Sequence, residues 1–173
     1  MTIYYIIAGL FIIVISFIGI RQEIRFRKSK KKPKNIKYKF QQITYPSGSR
    51  RQRILKSLIA ERYATTPILS DLRASVWAEK RAHEMDIKNE ISHNGIGKTF
   101  IMGADAGADA MGEIIAYGFN SGGGAVNGWM ASEPHAFQIL SFKYDYCGIA
   151  CVMDEFGHWI DVLIFIDEKT VLS

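Results

Sequence analysis

Imidazole and carboxylate side chains ligate metals and move protons, and this 173-residue chain has only four histidines. Two of them, with two glutamates, fall outside the regular hydrophobic periodicity: Ser92-His93, Gly112-Glu113 and the run Trp129-Met130-Ala131-Ser132-Glu133-Pro134-His135. The other histidines carry less. His83 in AHEMD lacks the second histidine of a zinc-binding H-E-x-x-H helix and reads as a solvated residue. His158 follows the Phe156-Gly157 turn and is expected to face solvent, with Trp159 packing on a sheet face. Ser121 to Gly124 gives SGGG before a helix, but without a following Lys-Ser/Thr or a clear preceding strand it reads as a flexible helix start, not a phosphate loop. No Ser or Cys stands as a nucleophile beside a base and an orienting acid. Cys147 and Cys151 are four residues apart in a strand-like run. That spacing separates their Cα atoms by roughly 13 Å, beyond the ~7 Å reach of a disulfide, so both read as small buried hydrophobes.

The elements that must position these residues are legible in part. Ile54, Leu55, Leu58 and Ile59 recur at helical spacing, and Thr65, Thr66 and Pro67 end that helix. A second helix follows a cap at Ser70 or Asp71 and places Ala74, Ala78, Ala82 and Met85 on one close-packing face. The Gly- and Asp-rich segment 92–112 is expected as loop with short helical turns. A third helix covers Ala125 to Ala131, and Pro134 opens another turn through Leu140. Tyr144 to Met153 and His158 to Ile166 read as a hairpin. Helices followed by strands make the class α+β, with helices packed on a mainly antiparallel sheet.

SH after the small-residue helix, GE opening AYG, WM-x-S-x-x-H-x-x-x-IL, and a terminal hairpin beginning Y-x-x-x-G-I-A resemble the CAP domain, also called the SCP domain. This is the superfamily of cysteine-rich secretory proteins, antigen 5 and pathogenesis-related 1 proteins, and the form here is similar to its shorter bacterial members. The resemblance runs from Ile54 to Ile166. It implies an α-β-α sandwich with a central antiparallel sheet, and a cleft bearing a tetrad of two histidines and two glutamates. By motif position these are His93, Glu113 and His135, with Glu133 as the fourth candidate. The chain departs from the pattern where Ile114 follows Glu113 in place of the usual Asn.

Two neutral imidazoles facing one cleft, His93 and His135, can bind a divalent ion such as Zn²⁺ while carboxylates orient the rings or act on a bound water. His135 lies in the first turn of its helix, where the positive end of the dipole disfavours imidazolium. The same four side chains can instead hydrogen-bond to one another and hold the 92–112 loop on the core. Three functions therefore stand together: a ligand- or partner-binding module, a His/Glu or metal-assisted hydrolase acting on a peptide or other polymer near the membrane, and a structural tether.

Ile3 to Ile20 contain no charge. At about 1.5 Å per residue such a run is roughly 27 Å long, enough to span a bilayer, so residues 1–21 read as an uncleaved transmembrane anchor, 22–49 as a basic juxtamembrane linker and 50–173 as the domain. Residues 21–39 hold a net charge of +9 against +5 for the whole chain, which leaves the remainder mildly acidic. Juxtamembrane charge of that kind favours an anionic lipid surface, and with no nucleic-acid module beside it no nucleic-acid partner is expected. The protein is thus expected to be single-pass. Basic residues after the helix favour a cytoplasmic domain, whereas the family resemblance favours an extracellular one.

Overall fold

The computed structural model describes residues 41–62, 67–105, 108 and 110–167. The expected anchor at residues 1–21, the basic segment 21–39 and the Thr65-Thr66 helix stop lie outside those residues. Among the described residues no helix is long and apolar enough to cross a membrane.

The first helix, α1 (Arg50–Glu61), begins at Ser49, whose hydroxyl accepts from the Gln52 N–H at 3.2 Å and so satisfies a donor that a helix start leaves bare. Ile54 and Leu58 are fully buried while Ile59 is exposed. A two-residue strand, β1 (Leu69–Ser70), leads into α2 (Leu72–Lys88). Asp71 caps that helix by accepting from the N–H groups of Arg73 and Ala74 at 2.9 and 3.0 Å. Asn89 ends it in the left-handed region at φ 49°, a conformation its short polar side chain tolerates. Ala74, Ala78, Ala82 and Met85 are all buried, as their spacing predicts.

The segment 92–112 differs from the expected loop. It contains a ten-residue helix, α3 (Ile96–Asp105), and the start of a strand, β2 (Met111–Tyr117). Gly97, Gly103 and Asp105 dilute the helical signal in the sequence, but Ile96 packs against the core beneath α2. β2 was hidden for another reason: it is covered on both faces, so its run MGEIIAY shows no apolar-polar alternation. SGGG then opens α4 (Gly122–Met130), where the Ser121 hydroxyl caps the helix by accepting from Gly124 N–H at 3.0 Å. Next come α5 (Glu133–Leu140), with Pro134 in its first turn, and the hairpin β3 (Tyr146–Met153) and β4 (Trp159–Ile166).

The sheet order is β1-β3-β4-β2; β4 is antiparallel to both neighbours, and only the short β1 runs parallel to β3. Helices cover both faces. On one, Ala150, Ile160, Val162 and Ile164 pack against the small-residue stripe of α2. On the other, Cys147, Ile149, Leu163 and Phe165 meet Ile54, Leu58, Val126 and Trp129. Gly148 is why α2 can lie so close: a Cβ there would stand 1.9 Å from the Ala74 carbonyl carbon.

Residues 41–49, part of the segment read as linker, lie on this body. Gln42 bridges to Asp71, and the Ile43 N–H donates to Ser70 O at 3.3 Å. Tyr45 is buried, bonded to Ser75 Oγ at 2.9 Å and accepting from Ile149 N–H at 3.0 Å, and burial pushes its phenol up to about 12. The cysteines are unpaired. Burial pushes the Cys147 thiol up to about 12 and raises that of Cys151 as well, so neither is poised as a nucleophile.

Candidate functional site

A cleft of about 510 Å³ opens at the end of the sheet where β2 begins, between α3 and α5. Five parts of the chain converge there: the turn after α2 brings His93, α3 brings Ile96 and Phe100, β2 brings Gly112 and Glu113, α5 brings Glu133, His135 and Gln138, and the approach to β3 brings Tyr144. Ile96, Phe100, Met111 and Phe137 supply an apolar wall. All four residues singled out in the sequence therefore line one cleft.

They are not equivalent within it. Glu113 is buried beside Arg81 of α2: Arg81 Nε donates to its Oε2 at 2.8 Å and Nη2 reaches Oε1 at 3.4 Å. His93 Nδ1 lies 2.9 Å from the same Oε1. Both oxygens of Glu113 are thus engaged, which suits it to orienting a ring. Glu133 is exposed at the first position of α5. For His135, burial lowers the pKa and the nearby His93 lowers it further. Burial, the larger of the two causes, favours the neutral form of the ring.

The Gly-Glu pair has a steric reason. A Cβ at position 112 would fall 2.5 Å from Gln138 Oε1 and 3.0 Å from the Tyr144 hydroxyl, so the glycine lets α5 and the Tyr144 ring close on the strand. Tyr144 donates to Met111 O at 3.4 Å and stacks on Phe165 with ring centres 5.4 Å apart. Burial and then the charge of Asp167 raise its pKa. Trp129 is buried and donates from Nε1 to Ile115 O at 2.9 Å, fastening α4 to β2.

Two polar participants escaped the sequence reading, Arg81 and Gln138, while Tyr144 entered it only as the first residue of Y-x-x-x-G-I-A. Arg81 had a legible signal. It stands seven residues after Ala74, inside the stripe that buries Ala74, Ala78, Ala82 and Met85, and a cation in a buried stripe demands a carboxylate. Gln138 carried none, because its role depends on the glycine opposite.

Among the described residues, no group of three or more His, Cys, Asp or Glu side chains could hold a metal ion. With Glu113 committed to Arg81, His93 and His135 are the imidazole donors in the cleft, one fewer than the three protein ligands of a catalytic zinc.

Outside the cleft, His83 is exposed, 3.9 Å from Glu79. His158 is exposed too, with Nδ1 3.0 Å from the Tyr117 hydroxyl, which donates to Asp154 at 2.7 Å.

Comparison with known proteins places this geometry. Three solved structures share the fold. An outer surface protein from Borrelia burgdorferi matches with a TM-score of 0.62 at 17% identity, over 73% of this chain and 98% of the other. An extracellular protein containing an SCP domain from Bacillus anthracis matches at 0.60 and 23%, over 69% of this chain and 40% of that one. A cysteine-rich secretory protein from Staphylococcus aureus matches at 0.59 and 18%, over 73% and 42%. The chain therefore spans less than half the length of the latter two. No curated protein matches it. The family model for CAP, the cysteine-rich secretory protein family, matches residues 62–162, from the end of α1 to the middle of β4. That span contains every cleft residue named above, and the chain belongs to the CAP family.

Proposed function

We propose that this protein is a membrane-anchored CAP-domain binding module whose cleft takes a ligand or a segment of a partner. The observation that carries the reading is the cleft itself: about 510 Å³, lined by the apolar side chains of Phe100, Met111 and Phe137 and by the polar ones of His93, His135 and Gln138. A largely apolar pocket with a few convergent polar groups is what small-ligand sites share. A divalent ion such as Zn²⁺ is a candidate occupant, held by His93 and His135 with its other positions left to water or ligand. Calorimetric titration of the full chain in detergent with Zn²⁺ alone, repeated on His93→Ala and His135→Ala, tests this. Binding that survives both changes sinks the metal proposal.

A second reading, a His/Glu hydrolase acting on a peptide or other polymer near the membrane, draws on the neutral state of His135, since a neutral imidazole at pH 7 can accept a proton. It requires that a mixed peptide substrate be turned over and that His135→Ala abolish turnover while the fold survives.

The anchor belongs to the same proposal: residues 3–20 in the bilayer and 21–39 on its anionic surface. The charge pattern favours an internal domain. The secretory family to which the chain belongs, and two structural relatives, an outer surface protein and an extracellular protein, favour an external one. Reaction of a cysteine introduced in the linker with a membrane-impermeant maleimide on intact cells decides between them.

A further inference from the structure

Arg81 is not one of the four residues that the motifs mark, yet it makes more polar contacts at the base of the cleft than any of them. It is buried, and its guanidinium reaches three elements at once. Nε and Nη2 engage both oxygens of Glu113 on β2 at 2.8 and 3.4 Å, Nη1 donates to Glu84 Oε2 at 3.0 Å, and Nη2 donates to Ser92 O at 3.0 Å. Ser92 is the residue before His93. One side chain therefore fixes both the backbone that carries His93 and the carboxylate that touches its ring.

We infer that Arg81 is the positioning residue of the cleft: through Glu113 it holds the His93 ring so that Nδ1 donates to the carboxylate and, in the neutral ring, the lone pair lies on Nε2. A guanidinium has donors only, and a carboxylate facing one is an acceptor only. Glu113 Oε1 lies 2.9 Å from His93 Nδ1, so that nitrogen must donate, and in a neutral imidazole the other must then carry the lone pair. The planar fork matters because it engages the carboxylate on two sides while also reaching Ser92 O. The consequence for recognition is chemical. Whatever meets Nε2 of the neutral ring, a protein group or a ligand, is matched there by an N–H, an O–H or a cation and not by an acceptor such as a carboxylate or phosphate oxygen. The inference deepens the reading of this cleft as a ligand site, but its readout needs no ligand.

The experiment is long-range ¹H–¹⁵N correlation on the full chain in detergent micelles, at a pH where His93 is neutral. In the unaltered protein His93 is expected as the Nδ1–H tautomer. In Glu113→Gln, Arg81 turns the amide oxygen toward itself and leaves the NH₂ facing His93, so the majority proton should move to Nε2. Arg81→Met should leave a mixture of the two tautomers, and Arg81→Lys should restore part of the Nδ1–H population. An Nε2–H tautomer in the unaltered protein overturns the inference, and so does an Nδ1–H signal unchanged in Glu113→Gln. Should Arg81→Met fail to fold, the nearly isosteric Glu113→Gln still decides. If Zn²⁺ and donor-bearing probes fail to bind while the tautomer behaves as stated, the binding reading falls and the positioning role of Arg81 stands.

Discussion

Among the described residues, two buried arginine-carboxylate pairs, Arg50–Asp161 and Arg81–Glu113, do opposite things. Arg50 and Asp161 meet through bonds of 2.8 and 2.6 Å with side-chain exposures of 6% and 0%. Arg50 spends its remaining capacity on Phe119 O at 2.8 Å and on the face of Trp159, 4.9 Å from the ring centre. Arg81 and Glu113 are as deeply buried, at 1% each, but there the second carboxylate oxygen faces His93 in the cleft. The first pair ends in the protein and clamps α1 to the sheet. The second passes its orientation on to a ring in the cleft. Burial alone does not distinguish a clamp from a site; the partner of the last oxygen does.

Breaking the first pair should have the largest effect. Asp161→Ala strands the Arg50 guanidinium inside the domain, and leaving one partner of a buried pair uncompensated costs about 3–5 kcal/mol. Urea unfolding should show that loss with the cleft tautomer of His93 unchanged until the protein unfolds. A smaller loss would mean that Phe119 O and Trp159 satisfy Arg50 by themselves. Glu113→Ala should cost less, about 1.5–3 kcal/mol, because Arg81 keeps Glu84 and Ser92 O. Here the cleft should suffer more than the fold: the His93 resonance should broaden or shift even where most of the protein remains native. Equal losses in the two variants would erase the contrast.

The pH dependence of stability sharpens the same contrast from the cleft side. His135 has a lowered pKa in the folded state, so as pH falls below the unfolded value of about 6.5 the unfolded chain takes up a proton that the native state resists. Stability is full above that value and declines as pH falls toward the folded pKa. His135→Gln should remove that part of the slope, seen by chemical denaturation at several pH values, whereas Asp161→Ala should leave it in place. The smallest effect is expected at the far end of the sheet. His158 is exposed, and His158→Ala should change stability by no more than about 0.5 kcal/mol in a thermal melt.

What the sequence could show follows from how each feature is encoded. The stripe of α2, the Asp71 cap and the β3-β4 hairpin rest on local periodicity and capping chemistry, and each is visible in a short window of residues. β2 was not, because a strand buried on both sides loses its alternation. The packing of Tyr45 was not either, since its partners Ser75 and Ile149 lie 30 and 104 residues away. His93, Glu113, Glu133 and His135 were reachable through the order of their motifs. Arg81 stood in plain view as a charge in an apolar stripe, but its partner could be found only once the sheet brought Glu113 of β2 within reach of its side chain.

Gly148 gives that juxtaposition an unexpected lever. It pairs with Ile164, which pairs in turn with Glu113, so the three form one row across β3, β4 and β2. α2 lies directly over the first of them and carries Arg81 about two turns further on, roughly 10 Å along its axis. A single methyl group at position 148 would push against the backbone of Ala74 and Ser75, and a helix is stiff over so short a length. The disturbance would reach the cleft as a misplaced guanidinium, with no cleft residue altered. Two hydrogen atoms on one α-carbon, at the far side of the sheet, thus set the tolerance to which the His93 ring is aligned.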